Sequence, residues 1–151
     1  MKATKKQIED FVSEKNFLFY GISAAKGKFG NLVLKHLNDN GYNVFPIHPE
    51  LKQVFGIDCF KSPADVNQQM KCAITILGAE NTERAVDELI KYGIKKIWIQ
   101  QRSGSDKAIK MCEENGIEVI SDECIMMFTD PITVIHGIHK WINKITGKLP
   151  A

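Results

Sequence analysis

Short apolar runs alternate with amphipathic segments along the middle of the chain. The runs are Phe17–Ile22, Val44–Ile47, Ala73–Leu77, Ile94–Ile99 and Ile117–Ile120. Between most of them, apolar residues recur at the spacing of one helix face. Two such sets are Phe29, Leu32, Val33, Leu37 and Ala85, Val86, Leu89, Ile90. Strands that alternate with helices through short connections predict an α/β, Rossmann-like fold, with a mainly parallel sheet and helices on both faces.

Three of the predicted helices end at a glycine. Gly41, Gly93 and Gly116 each stand where a helical pattern gives way to an apolar run. Glycine readily adopts the left-handed conformation that often follows the last turn of a helix. These glycines therefore place the helix ends and the short connections to the next strands.

Two further helices are predicted at the ends of the chain. A leading helix over residues 5–14 would turn Ile8, Phe11 and Val12 inward. A C-terminal amphipathic helix is predicted over about 131–146, because Asp130-Pro131 is typical of a helix start. Its apolar stripe either packs on the domain or forms a homodimer contact. The stripe consists of Ile135, Ile138, Ile142 and Ile145. We expect all these elements to form one domain over residues 1–151.

The composition is that of an ordinary soluble protein. The chain has 151 residues, 44% of them hydrophobic and 25% charged, with a formal net charge of +2. Such a balance argues against a dedicated nucleic-acid binder, which usually carries a strong basic excess. No stretch is long and apolar enough to span a bilayer, and no apolar signal core follows the basic N-terminus. We therefore expect neither a membrane nor a nucleic-acid partner.

The four cysteines are widely spaced and form no C-x-x-C pair. This pattern argues against structural zinc and thioredoxin-like redox chemistry, and predicts free thiols in a reducing cytoplasm. His136 and His139 could share a metal with Asp122, Cys124 or Asp130. Surface or interface histidines are the commoner explanation of such a pair.

The first apolar run leads directly into a glycine-rich turn, Gly21-Ile22-Ser23-Ala24-Ala25-Lys26-Gly27-Lys28-Phe29-Gly30. Glycines let the backbone turn tightly and approach a ligand closely. A helix that opens at such a turn directs free N–H groups and its positive dipole end at an anion. The pattern predicts a ligand held by its phosphates, with Ser23 as a donor. The structural alternative is that Gly21 and Ser23 only form a tight turn and a helix cap.

The turn departs from the common nucleotide motifs. In this chain Ser23 stands where the dinucleotide fingerprint G-x-G-x-x-G has its second glycine. The acidic residue that binds the ribose in that motif is missing from the tip of the second strand. NAD is therefore less favoured, although it stays open. No Gly-Lys-Ser/Thr ending follows, so the turn is not a P-loop. It is not a nucleophile elbow either, because Ala25 stands where that motif needs a glycine.

Several strand-tip motifs, taken in order, resemble a known family. They are Gly21-Ile22-Ser23, His48-Pro49, Gly56-Ile57-Asp58-Cys59-Phe60, Trp98-Ile99-Gln100-Gln101 and Asp122-Glu123-Cys124. From about Lys15 to Met127 the chain resembles the small stand-alone bacterial CoA-binding proteins. These are similar to the N-terminal domain of the succinyl-CoA synthetase alpha subunit. The resemblance implies a Rossmann-like domain that binds CoA at the carboxyl ends of its strands.

The resemblance also implies the site residues. Phosphate would be held in the first turn by Gly21, Ser23, Ala24, Ala25, Lys26 and Gly27. The adenosine end would meet His48, Pro49 and Lys52. Family members often have Asn-Pro where this chain has His48-Pro49. Gly78, Gln100, Gln101 and Arg102 would complete the crevice at two other strand tips. Lys26, Lys28, Lys52 and Arg102 are suitable cations for the diphosphate and 3′-phosphate of CoA, although solvated surface charges are an equal explanation for any one of them.

The resulting functional hypothesis is a non-catalytic protein that binds CoA or an acyl-CoA. No paired carboxylates form an acid/base set, and Cys124 is better explained as a buried thiol than as a nucleophile. Two alternatives stay open. One is a small NAD(P)-linked oxidoreductase. The other is an interaction subunit of a larger acyl-CoA enzyme, docked through the C-terminal helix.

Overall fold

The computed structural model describes residues 2–25 and 27–129. Its strands are β1 (Asn16–Tyr20), β2 (Asn43–Ile47), β3 (Gln53–Val54), β4 (Ile57–Asp58), β5 (Cys72–Thr75), β6 (Lys96–Gln100) and β7 (Glu118–Glu123). Its helices are α1 (Lys5–Ser13), α2 (Phe29–Asp39), α3 (Ala79–Tyr92), α4 (Asp106–Glu114) and α5 (Met126–Thr129), with a 3-10 turn at Pro63–Asp65.

Five strands form one sheet in the order β2-β1-β5-β6-β7, and every neighbouring pair is parallel. The predicted Rossmann-like α/β fold is therefore confirmed. Strands β1 and β5 are neighbours at the point where the strand order reverses. In open α/β sheets, ligands bind beyond the carboxyl ends of the strands at such a point. Strands β3 and β4 form a separate antiparallel hairpin.

The side chains of the strands alternate between two apolar cores, one on each face of the sheet. Phe17, Phe19 and Trp98 lie in the core that is covered by α1, α2 and α5. Leu18 and Ile97 lie in the opposite core, beneath α3 and α4. Helices thus cover both faces, as predicted.

The inward face of α2 differs from the predicted stripe. Val33 and Leu37 are fully buried as expected, but Phe29 and Leu32 are 36% and 57% exposed. Gly30, rather than Phe29 or Leu32, faces the sheet. The first turn of α2 lies so close to the end of β1 that a side chain on residue 30 would not fit. The buried stripe is therefore rotated relative to the one read from the sequence, and it includes Leu34.

The ends of the helices lie close to where the sequence predicts them. Gly41, Gly93 and Gly116 have φ angles of 85°, 96° and 69°, as their place at helix ends requires. Helix α1 ends at Ser13, one residue before the predicted end, and it buries Ile8 and Phe11. The predicted helix over about 131–146, with its two histidines, lies outside the described residues. Among the described residues, no helix is long and apolar enough to cross a membrane.

Candidate functional site

The turn after β1 is fixed by contact between two glycines. Gly21 has a φ of 132°, and a Cβ on it would lie 2.5 Å from the carbonyl oxygen of Ile76. Gly30, in the first turn of α2, lies against the carbonyl group of Gly21, and a Cβ on Gly30 would overlap that group. The first turn of α2 can lie this close to the end of β1 only because residue 30 is glycine, and residue 21 must be glycine to fit beside Ile76.

Asn31 holds the rest of the turn in shape. Its side-chain oxygen accepts a hydrogen bond of 2.9 Å from the N–H of Ser23, and its amide nitrogen donates one of 2.8 Å to the carbonyl of Ser23. The Ser23 hydroxyl accepts a further bond of 3.1 Å from the N–H of Ala25. Asn31 is only 6% exposed. Sequence reasoning missed it, although an asparagine inside an apolar helical stripe was a signal that it has a polar partner.

The N-terminus of α2 offers N–H groups to an anion. Its N-cap, Lys28, makes no side-chain capping bond, and the first bond within the helix runs from the N–H of Leu32 to the carbonyl of Lys28. The N–H groups of Phe29, Gly30 and Asn31 therefore have no partner within the helix. Together with the helix dipole, they make this end of α2 electropositive.

A cleft of about 420 Å³ lies between the turn and the β3–β4 hairpin. The turn and α2 line one side, and the hairpin with the loop before it lines the other. The lining residues are Ser23, Ala24, Gly27, Asn31, Leu51, Gln53, Val54 and Phe55. This volume lies within the usual range of small-molecule sites.

His48 shapes the loop that leads to the hairpin. Its Nδ1 accepts two hydrogen bonds of 3.0 Å, from the N–H groups of Glu50 and Leu51. An asparagine side chain at this position commonly accepts the same kind of local bond. The ring of His48 therefore accepts hydrogen bonds from the backbone of its own loop. Lys52, in the same loop, is exposed.

A second cleft, of about 240 Å³, lies on the α3 face of the same strand ends. Its floor is largely apolar and its rim is charged. The lining residues are Tyr20, Ile47, Pro49, Lys61, Leu77, Asn81, Arg84, Ala85 and Glu88. The hydroxyl of Tyr20 donates a 2.6 Å hydrogen bond to Glu88. Burial, followed by this bond, raises the pKa of Tyr20 far above its ordinary value, so the phenol stays a proton donor.

The remaining predicted site residues lie at the tips of β5 and β6. Gly78 caps α3 with a φ of −64°, and the space beside its Cα is open. Gln100 is only 1% exposed, and its side-chain oxygen accepts a 3.1 Å bond from the N–H of Ile125. The N–H of Gln101 donates to the carbonyl of Glu123. Arg102 is exposed, with a positive φ of 64°.

The structure thus brings together part of the predicted set. Ser23, Ala24 and Gly27 line the cleft beside the turn, whereas Pro49 lines the second cleft. Gln100 lies inside the fold and braces the start of α5. Lys26 lies outside the described residues.

Three of the four described thiols show no sign of activation. Burial raises the pKa of Cys72 to about 12 and that of Cys112 to about 11. Burial and the charge of Asp58 also raise the pKa of Cys59. Reactive cysteines need a lowered pKa, so none of these three has the properties of a nucleophile. No cluster of three or more metal-ligating side chains occurs within the described residues.

These features define a Rossmann-like α/β domain with a ligand-sized cleft at the carboxyl ends of its strands. The model of the CoA binding domain family matches residues 15–130, so the chain belongs to that family. The family resemblance read from the strand tips is thereby confirmed.

Related proteins are of two kinds. The chain is 31% identical over 119 residues to an ADP-forming acetate–CoA ligase of Methanocaldococcus jannaschii, covering 74% of this chain and 17% of the ligase. It is 23% identical over 123 residues to YneT of Bacillus subtilis, covering 81% of this chain and 91% of YneT. The chain therefore spans less than a fifth of the ligases among its first relatives, but most of YneT.

Solved structures agree on the fold. A hypothetical protein from Pyrococcus horikoshii OT3 has a TM-score of 0.74 and 27% identity, over 82% of this chain and 88% of that one. The apo dinucleotide-forming acetyl-coenzyme A synthetase 1 of Ca. Korarchaeum cryptofilum has a TM-score of 0.61 and 21% identity. That likeness covers 70% of this chain and 25% of the synthetase, and it concerns the fold.

Proposed function

We propose that this protein binds coenzyme A, with the phosphates of the ligand at the turn after β1. The observation that carries the proposal is the cleft between the uncapped N-terminus of α2 and the β3–β4 hairpin. A phosphate at this place would accept hydrogen bonds from the free N–H groups of α2 and interact favourably with the helix dipole. Membership of the CoA-binding domain family supports CoA as the particular ligand.

Exposed cations beside the cleft would hold the charges of the ligand. Lys28 and Lys52 each stand next to residues that line the cleft, and Arg102 is at the tip of β6. Within the described part of the chain these three side chains form no ion pair. Lys28 and Lys26 would serve the diphosphate, and Lys52 the 3′-phosphate.

The adenosine end would lie in the second cleft, because Pro49, which the resemblance assigns to that end, lines it. Both clefts open at the same edge of the sheet, one on the α2 face and one on the α3 face. Ile47, Leu77 and Ala85 give the second cleft an apolar floor that suits an adenine base. Gly78 lies beside Leu77, and its lack of a side chain would leave room for the ligand between the clefts.

The protein itself would carry or present CoA rather than transform it. The described cysteines with raised pKa values provide no nucleophile. A role as a subunit of a larger acyl-CoA enzyme is the second candidate, because the matching regions of the ligases form only a small part of those chains. A partner that co-purifies with this protein and requires its presence for acyl-CoA synthesis would favour this candidate.

Titration calorimetry with CoA, dephospho-CoA, NAD, NADP and FAD tests the proposal. We expect CoA to bind most tightly and dephospho-CoA more weakly, because the charge-assisted bonds to the 3′-phosphate would be lost. Tight binding of another nucleotide together with no binding of CoA would refute the proposal. Mass spectrometry of ligand retained by the natively purified protein gives an independent readout.

A charge variant tests the assignment of Lys52. We expect Lys52→Gln to weaken CoA binding by about two- to fivefold, the usual range for an exposed charge pair. Its effect on dephospho-CoA should be smaller. Lys110→Gln is the matched control, since Lys110 is also exposed but pairs with Glu114 on α4. Equal effects of Lys52→Gln on both ligands would contradict contact with the 3′-phosphate.

A further inference from the structure

Helix α2 carries an apolar surface that no described part of the chain covers. Phe29 and Leu32 are 36% and 57% exposed, two of the three large apolar side chains that are exposed within residues 2–25 and 27–129. They stand three residues apart, so they lie on one face of the helix. His36, four residues beyond Leu32, continues the same face. We call Phe29 and Leu32 the apolar flank of α2.

The last described helix ends beside this flank. Helix α5 packs against α2, and Nε2 of His36 lies 3.0 Å from the hydroxyl oxygen of Thr129, the last described residue. At a rise of 1.5 Å per residue, Leu32 lies about 6 Å and Phe29 about 10 Å from His36 along the axis of α2. A few residues beyond Thr129 are therefore enough to reach both apolar side chains.

The sequence that follows Thr129 has a complementary pattern. Its apolar stripe consists of Ile135, Ile138, Ile142 and Ile145. Lys140 and Lys144 fall on the opposite side of the same helical pattern, which is typical of a segment that buries one face and leaves the other in water. The match to the CoA binding domain family ends at residue 130, so the family does not account for the stripe.

We propose that residues 131–146 pack their isoleucine stripe on the apolar flank of α2 in the same chain. This inference goes beyond the proposed function and decides between the two uses of the stripe that the sequence leaves open. Attachment at Thr129 gives the segment an effective concentration at the flank on the order of millimolar, which favours it over a second copy of the chain. Removal of both apolar surfaces from water supplies the driving force.

Glutamine substitutions in the full chain measure whether the flank is covered. Leu32→Gln keeps the helix propensity of residue 32 but removes its apolar side chain. If residues 131–146 bury Leu32, the melting temperature should fall by about 2–8 °C. Lys35→Gln, an exposed position on the same helix, is the matched control and should change it by less than about 2 °C. Equal effects of Leu32→Gln and the control would overturn the inference.

A combined variant tests whether the stripe and the flank contact each other. Ile138→Gln together with Ile142→Gln should lower the melting temperature by an amount similar to that of Leu32→Gln. Addition of Leu32→Gln to this variant should then cost clearly less than it costs alone, because both changes break the same contact. Fully additive losses would mean that the stripe and the flank pack on separate surfaces, which would overturn the inference.

Spin labels distinguish contact within one chain from contact with a second copy. In a Cys59→Ser background, which removes the partly exposed thiol, a nitroxide on Lys35→Cys should broaden the amide resonances of residues 131–146. The same label on Lys110→Cys should broaden them much less, because α4 lies on the opposite face of the sheet. The two positions are matched, since both lysines are exposed and pair with an acid four residues later.

A mixed sample completes the spin-label experiment. It contains isotope-labelled chains without the nitroxide and unlabelled chains that carry it at position 35. We expect no broadening of residues 131–146 in this mixture, since the contact lies within each chain. Broadening in the mixture would assign the stripe to a second copy and overturn the inference. Equal effects of the labels at positions 35 and 110 in the unmixed samples would overturn it as well.

Discussion

Gly30 lies against the carbonyl group of Gly21, so the first turn of α2 and the end of β1 meet without an intervening side chain. We predict that Gly30→Ala destabilises the protein by about 3 kcal/mol or more, because an added methyl group in a rigid backbone contact forces the two elements apart. Urea denaturation followed by circular dichroism would measure the loss. A stability within about 0.5 kcal/mol of the wild type would contradict the observed packing.

Gly78→Ala is the matched glycine substitution, with the opposite expectation for stability. Gly78 has a φ of −64° and open space beside it, so the fold should keep its unfolding free energy within about 0.5 kcal/mol. CoA binding should nevertheless weaken about tenfold, or about 1.4 kcal/mol, because the methyl group would narrow the path between the two clefts. Calorimetry checks this, and unchanged affinity would place the ligand away from the tip of β5.

Asn31 makes separate contributions to stability and to ligand binding. Asn31→Ala leaves both the N–H and the carbonyl of Ser23 without their partner, and we expect a loss of about 1–3 kcal/mol. Asn31→Asp keeps the acceptor for the N–H of Ser23 but adds a negative charge at the turn. It should therefore lose less stability than Asn31→Ala and more affinity for CoA. Denaturant titration and calorimetry on the two variants test this, and the reverse ranking for affinity would argue against phosphate at the turn.

The alternation of apolar runs and helical stripes was sufficient to predict the sheet. Strands that are buried on both faces of a parallel sheet are nearly continuous apolar runs, which are visible in the sequence. The glycines at helix ends were predictable for a similar local reason. The orientation of α2 was not, since it depends on the contact of Gly30 with a residue at the end of β1. Local periodicity favoured Phe29 and Leu32 as buried residues, but their apolar side chains are exposed in the structure.

The candidate site was predicted less completely than the fold, because its residues come from segments that lie far apart in the sequence. The strand-tip motifs pointed to the turn at Ser23, but its bond to Asn31 and the position of Phe55 in the wall of the same cleft depend on how separate elements meet. The family resemblance implies that Gln100 lies at the ligand. Its side-chain oxygen accepts a bond from the N–H of Ile125, a contact between residues 25 positions apart that the sequence did not predict.

The replacement of the family's asparagine by His48 has a physical explanation that can be tested. Because Nδ1 of His48 accepts from the N–H groups of Glu50 and Leu51, an asparagine side chain should substitute for it. We predict that His48→Asn retains stability and CoA affinity, whereas His48→Ala loses about 1 kcal/mol of stability and weakens CoA binding through the displaced loop.

Thermal unfolding and calorimetry of His48→Asn and His48→Ala, side by side, provide the comparison. Loss of CoA affinity in both variants without loss of stability would show that the imidazole itself contacts the ligand. Equal behaviour of His48→Ala and the wild type would show that the two bonds do not maintain the loop.

Thiol labelling tests the burial of the cysteines and the direction of their pKa shifts. With pKa values of about 11 and about 12, Cys112 and Cys72 carry a thiolate fraction of about one in a thousand and one in ten thousand at pH 8. Cys59, which is partly exposed, should therefore react first with iodoacetamide in the folded protein. Burial raises the pKa of Cys72 and that of Cys112 above the ordinary value of 9.0, so the neutral thiol is the form that the fold stabilises at both positions.

This stabilisation is complete below about pH 9 and decreases as the pH rises through the two raised pKa values. We expect labelling of Cys72 and Cys112 at pH 8 only after urea unfolds the chain, as peptide mass mapping would show. Labelling of either at the rate of Cys59 in the folded protein would mean that a thiolate forms readily there. The absence of nucleophilic chemistry from the proposed function would then have to be reconsidered.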